Sequence, residues 1–490
     1  MQPPPGKRGL VPAALIVLVL LLGSGVAALT RHDTDAPVRY LTDDQGRALF
    51  LHGLNTSGSA KDDPDHLPWI TEEDVQTEYD AMGTNFVRFL IQWQALEPEE
   101  GVYDEDYLDE VAERVDWYAE RGYHVLLDMH QDLYGRFTNT EQHSGNGAPE
   151  WATRTDDLPV RPREQWELVY LEPGVMRAFD HFWGTAGGDT DLMDAYADAW
   201  RHVADRFADE PAVIGYDLMN EPFGGSLQGT DFEAGPLAEL YRRSMERIRE
   251  VDQDTWIFVE GQAVGVNWGL PSALPHLEDP REGEPRVVYA PHMYALPMDL
   301  GQPYEGDSKG GIDASVDAWS EHVRLVGERL EAPIVLGEFG LDMSGAGAPE
   351  FVERMLEETE TMAAGRTYWS NDLDGWGPWE EADDGGLAPG PLAHVMNRAY
   401  PRAVAGEPLD WGYDAEAGEL TVRYTERDGV SGATELYLPS DVFGEGHEPT
   451  VVLGGDGSWN AEWDEGMRVL HVTVTGAADG DETVLTVTPE

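Results

Sequence analysis

The chain contains no cysteine. Disulfides, thiolate metal sites, thiol nucleophiles and lipoprotein-type acylation are therefore excluded. Lysine occurs only at Lys7, Lys61 and Lys309. Basic residues number 32 against 94 acidic ones, and the resulting charge of −62 argues against nucleic acid and anionic membrane as electrostatic partners. The acidity reads as a heavily hydrated surface. Internal repeats, long low-complexity tracts, a His-Glu-x-x-His motif and a complete calcium-loop spacing are also missing, and no metal or other cofactor is expected. Long hydrophobic runs are scarce as well. The exception follows Lys7 and Arg8, spans residues 10–29 and ends in Gly23-Ser24-Gly25-Val26-Ala27-Ala28. Residues 1–30 thus read as an export signal. The run also reaches the roughly 20 residues of a membrane span, so a retained anchor is the alternative. Either way the remainder is expected outside the cell, secreted or anchored facing outward.

What is present is a chain of 490 residues, 41 % hydrophobic, enough for one barrel of about 250 to 400 residues and a small extra domain. Its centre is Tyr216-Asp217-Leu218-Met219-Asn220-Glu221-Pro222-Phe223. An apolar run leads into an amide and a carboxyl, and Pro222, lacking an N–H, forces the chain out of the sheet. Pro333-Ile334-Val335-Leu336-Gly337-Glu338-Phe339-Gly340 has the same build. Further buried strands are expected at 48–55, 85–91, 123–130, 256–261, 287–292 and 367–370. Helical patterns lie between them, at 72–82, 107–120, 316–330 and 351–364. Eight short strands alternating with helices predict a (β/α)8 barrel of TIM type over 36–402. After Tyr400-Pro401 helical periodicity stops. Alternating runs at 420–424, 435–438, 450–453, 469–474 and 483–487 predict a small C-terminal antiparallel β-sandwich over 403–490. Its simplest role is to pack on the barrel and stabilise it, with carbohydrate or membrane binding as the alternative.

The connection over 131–193 is anomalously long. It carries Tyr134, Phe137, Trp151, Trp166, Tyr170, Phe179, Phe182 and Trp183. Following a strand, it belongs to the face where barrels place their sites. It is either a local mini-core or a wall whose aromatics meet sugar faces or a greasy aglycone.

Two carboxylates across one cleft are what glycoside cleavage needs: one protonates the leaving oxygen, the other attacks the anomeric carbon or activates water. Glu221 and Glu338 are the pair. Asn220 could hydrogen-bond a sugar 2-hydroxyl, and a buried Arg88 could keep the nucleophile ionised. His130 and His292 end strands, Tyr294 could donate to Glu338, and Trp369 offers a flat face to a pyranose. Any one of these is commonplace; their order, each near the end of a separate strand, is not.

This pattern resembles glycoside hydrolase family 5 over residues 48–401, with Asn220-Glu221-Pro222 and Glu338-Phe339-Gly340 in place. The resemblance implies that Glu221 is the acid/base, Glu338 the nucleophile, and that configuration is retained. It implies a −1 subsite lined by Arg88, His130, Asn220, His292, Tyr294 and Trp369. Asp128-Met129-His130-Gln131-Asp132, Gly147-Ala148-Pro149-Glu150-Trp151-Ala152, the stretch 216–223 and the C-terminal β domain sharpen it to the endoglycoceramidase branch, which cuts intact oligosaccharide from glycosphingolipids. There Lys61 and Asp132 match residues that contact the glucose next to the lipid. The implied partner is a glycolipid or oligosaccharide, met at lipid surfaces or micelles, with the enzyme acting as a monomer. Retention further requires about 5 to 5.5 Å between the two carboxyls. Two other readings compete: a secreted β-glucosidase or endoglucanase acting on glucans or steryl glucosides, and a non-catalytic carbohydrate-binding barrel.

Overall fold

A computed structural model describes residues 38–138, 145–163, 165–382, 386–444, 449–455 and 457–489. The expected signal or anchor lies outside the described residues, among which no helix is long and apolar enough to cross a membrane.

Eight strands form the barrel: β1 (Leu51–Asn55), β2 (Phe86–Ile91), β3 (His124–Met129), β4 (Val213–Asp217), β5 (Trp256–Val259), β6 (Val287–Tyr289), β7 (Val335–Leu336) and β8 (Gly365–Tyr368). Successive strands pair in parallel from β1 to β6, and β8 joins β1 to β7. A parallel bridge between Tyr289 and Ile334 closes the ring. One step further along, Glu338–Phe339 pairs in parallel with His292–Met293. That pairing ties Glu338 to His292 by backbone register. The strands are almost wholly buried on both faces, as expected where helices cover a parallel sheet.

The helices lie close to the predicted segments. Glu72–Met82 ends as predicted, because Gly83 caps it in the left-handed conformation (φ 61°). The segment predicted at 316–330 extends back to Gly306, since Asp307 and Ser308 begin a helix before its apolar face starts.

The run 48–55, expected as one strand, is two. Ala48–Leu49 pairs antiparallel with Tyr400–Val404, and only after Phe50 does the chain enter the barrel. Phe50 packs instead with the second hydrophobic core. The C-terminal part is a sandwich of two antiparallel sheets. One contains Ala48–Leu49, β9 (Tyr400–Val404), Thr434–Tyr437, Val469–Thr475 and Ser458–Asp464; the other contains Glu407–Asp414, Glu419–Thr425, Glu482–Thr488 and Thr450–Gly454. Glu407–Asp414 and Ser458–Asp464 were not anticipated. Both are edge strands with mostly exposed residues; Leu409, Trp411 and Tyr413, and Trp459, Ala461 and Trp463, alternate with polar residues or glycine, a period-two signal that stood in the sequence.

The sandwich docks under the barrel, at the loops that precede strands. Tyr400 donates to the Gly83 carbonyl (2.9 Å) and Arg402 to that of Gly122 (2.8 Å). It therefore sits at the end opposite the strand C-termini. Gly83 is the tightest point: a Cβ there would stand 1.9 Å from the ring of Tyr437. Gly83→Ala combines a left-handed φ with this clash, and we expect a loss of about 2 to 4 kcal/mol. Urea midpoints measure it; an unchanged midpoint would show the interface to be soft.

Candidate active site

Lys61, Arg88, His130, Asp132, Asn220, Glu221, His292, Tyr294, Glu338 and Trp369 converge at the C-terminal mouth of the barrel. The arrangement is built around Arg88 on β2, which is fully buried. Its Nη1 reaches Glu338 Oε1 (2.7 Å) and Asn55 Oδ1 (3.0 Å). Its Nε reaches Asp217 Oδ2 (2.8 Å). Its Nη2 serves Asn220 Oδ1 (3.0 Å), Asp128 Oδ1 (3.0 Å) and Glu260 Oε1 (3.2 Å). One planar cation thus orders the ends of β1, β2, β3, β4 and β5 and the segment after β7. A guanidinium can do so because its donors are arranged as a rigid fork.

Glu338 is 4 % exposed. Its Oε2 accepts from the Tyr294 hydroxyl (2.9 Å). Burial would raise its pKa, but the positive charge of His292, Arg88, His130 and Lys61 outweighs burial and lowers it. Glu338 is therefore held as the anion. Tyr294 is raised well above the ordinary phenol range by burial and by Glu338, so it stays a donor.

Glu221 follows β4 after Leu218-Met219-Asn220 and has a left-handed backbone (φ 44°). For a non-glycine residue that costs on the order of 1 to 3 kcal/mol and persists only when its surroundings over-determine it. Here Gln131 Nε2 donates to the carbonyls of Asn220 (2.9 Å) and Glu221 (3.0 Å), while Glu260 Oε2 accepts the Glu221 N–H (3.0 Å). The side chain accepts from Asn267 Nδ2 (2.6 Å) and lies 3.0 Å from His292 Nδ1. An oxygen of Glu221 and one of Glu338 lie within 4.8 Å of each other. That separation suits direct attack on an anomeric carbon, not the about 6.5 to 9.5 Å that leaves room for water.

Opposite stand His130, Trp369 and Lys61. His130 stacks on Trp369 (5.4 Å between centroids, 14° between planes), and Lys61 Nζ lies 4.1 Å from the centroid of that indole. Lys61 also pairs with Asp132 (2.8 Å), and His130 Nδ1 with Asp128 Oδ2 (2.7 Å). Burial opposes the charge on Lys61, but Asp132 and Glu338 overcome it, so the ammonium persists. Asn220 Nδ2 donates to the Gln131 carbonyl (3.1 Å), which fixes its amide.

The same atoms of Glu221, His292 and Glu338 are close enough to surround a metal ion. Each carboxylate already takes a protein donor, and Arg88 puts a positive charge beside them. The donor set thus suits substrate better than a cation.

Sequence reasoning missed Glu260, Asn267, Gln131, Asn55, Asp128 and Asp217. Asp128, Asp217 and Glu260 carry the same signal that marks Glu221 and Glu338, an acidic residue closing a buried strand. Asn267 sits in a loop with no pattern to mark it. The aromatic insertion is chiefly a mini-core: Tyr134, Tyr170, Phe179, Phe182 and Trp183 are buried against Trp93, Tyr196 and Phe223. Phe137 and Trp166, each 42 % exposed, point outward.

A closed parallel barrel with paired carboxylates at its mouth is an arrangement that suits glycoside cleavage. The cellulase family, glycosyl hydrolase family 5, matches residues 42–375, and the glycoside hydrolase family 5 C-terminal domain matches residues 398–487. The chain belongs to glycosyl hydrolase family 5. Within it, the chain is similar to endoglycoceramidase I of Rhodococcus hoagii (strain 103S), 30 % identical over 89 % of this chain and 85 % of that one. Among solved structures it is similar to endo-glycoceramidase II from Rhodococcus sp. in complex with ganglioside GM3: 48 % identity, TM-score 0.86, 93 % of this chain and all of that one. The lactosyl-enzyme intermediate of that enzyme aligns with 48 % identity and TM-score 0.84, over 92 % of this chain and 100 % of that one.

Proposed function

We propose that this chain is a retaining endo-β-glycosidase that cleaves the bond between oligosaccharide and ceramide in glycosphingolipids. The observation that carries it is the approach of Glu221 and Glu338 to within 4.8 Å beside the stacked rings of His130 and Trp369. Similarity to an enzyme trapped as a lactosyl intermediate supports the same chemistry.

Glu338, kept ionised, attacks the anomeric carbon of the sugar joined to the lipid. Glu221 protonates the departing oxygen and must be neutral to do so. Glu221 then takes a proton from water, which releases the sugar from Glu338 with two inversions and so net retention. Lys61 and Asp132 bind the hydroxyls of the sugar beside the lipid, and Asn220 binds the 2-hydroxyl. Phe137 and Trp166 face the lipid surface or micelle, and residues 1–30 direct the enzyme out of the cell, where it acts as a monomer.

Mass analysis of products from a mixed glycosphingolipid extract tests this. Intact oligosaccharide plus ceramide is expected; stepwise loss of terminal sugars, or activity confined to steryl glucosides and soluble cellulose, overturns it. The charge of −62 adds a further expectation. Sialylated headgroups should turn over more slowly than neutral ones in dilute buffer, and the gap should close near 0.15 M salt as the Debye length falls to about 8 Å. Equal rates in dilute buffer would remove any electrostatic role for the surface.

A further inference from the structure

Glu260, immediately after β5, is a buried carboxylate at 2 % exposure whose two oxygens face protein groups. Its Oε2 takes the Glu221 N–H at 3.0 Å, and its Oε1 lies 3.2 Å from Arg88 Nη2 and 3.3 Å from His292 Nε2. The Tyr241 hydroxyl pins its backbone, accepting from the Glu260 N–H (3.2 Å) and donating to its carbonyl (2.9 Å). On the far side of the imidazole, His292 Nδ1 is 3.0 Å from Glu221 Oε1 and 3.6 Å from Glu338 Oε2. His292 thus stands between Glu260 and the paired carboxylates.

We propose that Glu260 is a positioning residue for the acid/base: its carboxylate anchors the left-handed turn at Glu221 through the backbone amide, and is the counter-ion that keeps His292 protonated against Glu221. This rests on the glycosidase reading above. The charged groups around the pair are Arg88 from β2, Asp128 from β3, Asp217 from β4, Glu221 and Glu338. Burial pushes Glu260 up to about 8. The groups that face its two oxygens are an amide and a guanidinium, which can only donate, and an imidazole, so any proton at this carboxylate is shared with His292. Burial opposes the charge on His292, but Glu260 and Glu338 overcome it and raise it well above the usual histidine range, which places the proton on the imidazole.

Glu260→Gln keeps the volume and an acceptor for the Glu221 N–H but removes the charge. Without that charge the proton-poor form of the His292–Glu221 pair is favoured, so the basic limb of kcat/KM moves to lower pH, by about one pH unit. The defect concerns proton delivery, so the leaving group should modulate it. We expect kcat/KM for lactosylceramide to fall about 100-fold, but that for 2,4-dinitrophenyl lactoside, whose leaving group needs no proton, to fall less than about 10-fold. KM should change little. Glu260→Asp retains the charge and should keep the basic limb near its wild-type position, which guards against a Gln variant that folds poorly. Imidazole NMR of the free enzyme provides a readout independent of turnover: His292 should lose its proton at lower pH in Glu260→Gln. Equal losses on the two lactosides, or superimposable His292 titrations, overturn the proposal. A wild type that failed to release oligosaccharide from lactosylceramide would instead overturn the glycosidase reading, and the NMR result would stand apart from it.

Discussion

Glu338→Ala should abolish turnover of lactosylceramide, with kcat reduced at least about 10⁴-fold, and azide should restore it with inverted product. In the proposed mechanism the carboxylate attacks the face of the anomeric carbon opposite Glu221. Removing it leaves a gap of about a small anion's size, lined by the Arg88 guanidinium and the Tyr294 hydroxyl that formerly served its oxygens. Azide entering there attacks from the same face as the lost carboxylate. Glu221 still protonates the leaving oxygen, and no second displacement follows, so an α-glycosyl azide accumulates. In Glu221→Ala the outcome reverses. The glycosyl-enzyme forms if the leaving group is good, and azide then displaces Glu338 to give a product of retained β configuration. NMR of the two azides assigns the roles. A retained azide from Glu338→Ala would exchange them, and absence of a covalent adduct on Glu338 with a 2-fluoro glycoside would remove the nucleophile altogether.

The parts of this site legible in the sequence are those where one residue does local work. Asn220-Glu221-Pro222 announces itself because proline must end a buried strand. Glu338 shows because an apolar strand delivers it. The barrel was legible because a parallel sheet covered on both faces needs unbroken apolar runs, which stand out against an acidic chain. What stayed hidden depends on residues far apart in the chain. Nothing near Glu260 says that its carboxylate receives the backbone of Glu221, and nothing in residues 48–55 says that Phe50 packs with the sandwich while Leu51 enters the barrel. The aromatic insertion shows the same limit. Its composition fits a lipid wall and a mini-core equally, and burial of Tyr134, Phe179 and Phe182 decides for the mini-core over most of its length.

Arg88→Met should be the most damaging substitution for stability. The thioether fills much of the volume but leaves Asp128, Asp217, Glu260 and Glu338 without their common cation. Breaking one buried ion pair typically costs about 3 to 5 kcal/mol, and this removal orphans several at once, so a loss at the upper end of that range or beyond is expected at neutral pH. The pH dependence carries the sign. Even with Arg88 present, burial holds Asp217 up to about 6, above the ordinary carboxylate range. Taking away the cation raises it further and removes one of the charges that keep Glu338 low. Groups whose pKa is raised on folding bind protons more readily in the native state, so native stability falls as pH rises from their unfolded values through their folded ones. The variant's deficit should therefore be small near pH 4.5 and grow steadily to pH 8, where the wild type still has its guanidinium. Thermal unfolding of both proteins across that window measures it. A deficit that stayed constant with pH would mean that lost packing, not orphaned charge, is what Arg88 supplies. Activity should fall with it, because a Glu338 that holds its proton cannot attack the anomeric carbon, and acid that stabilises the variant would silence it further.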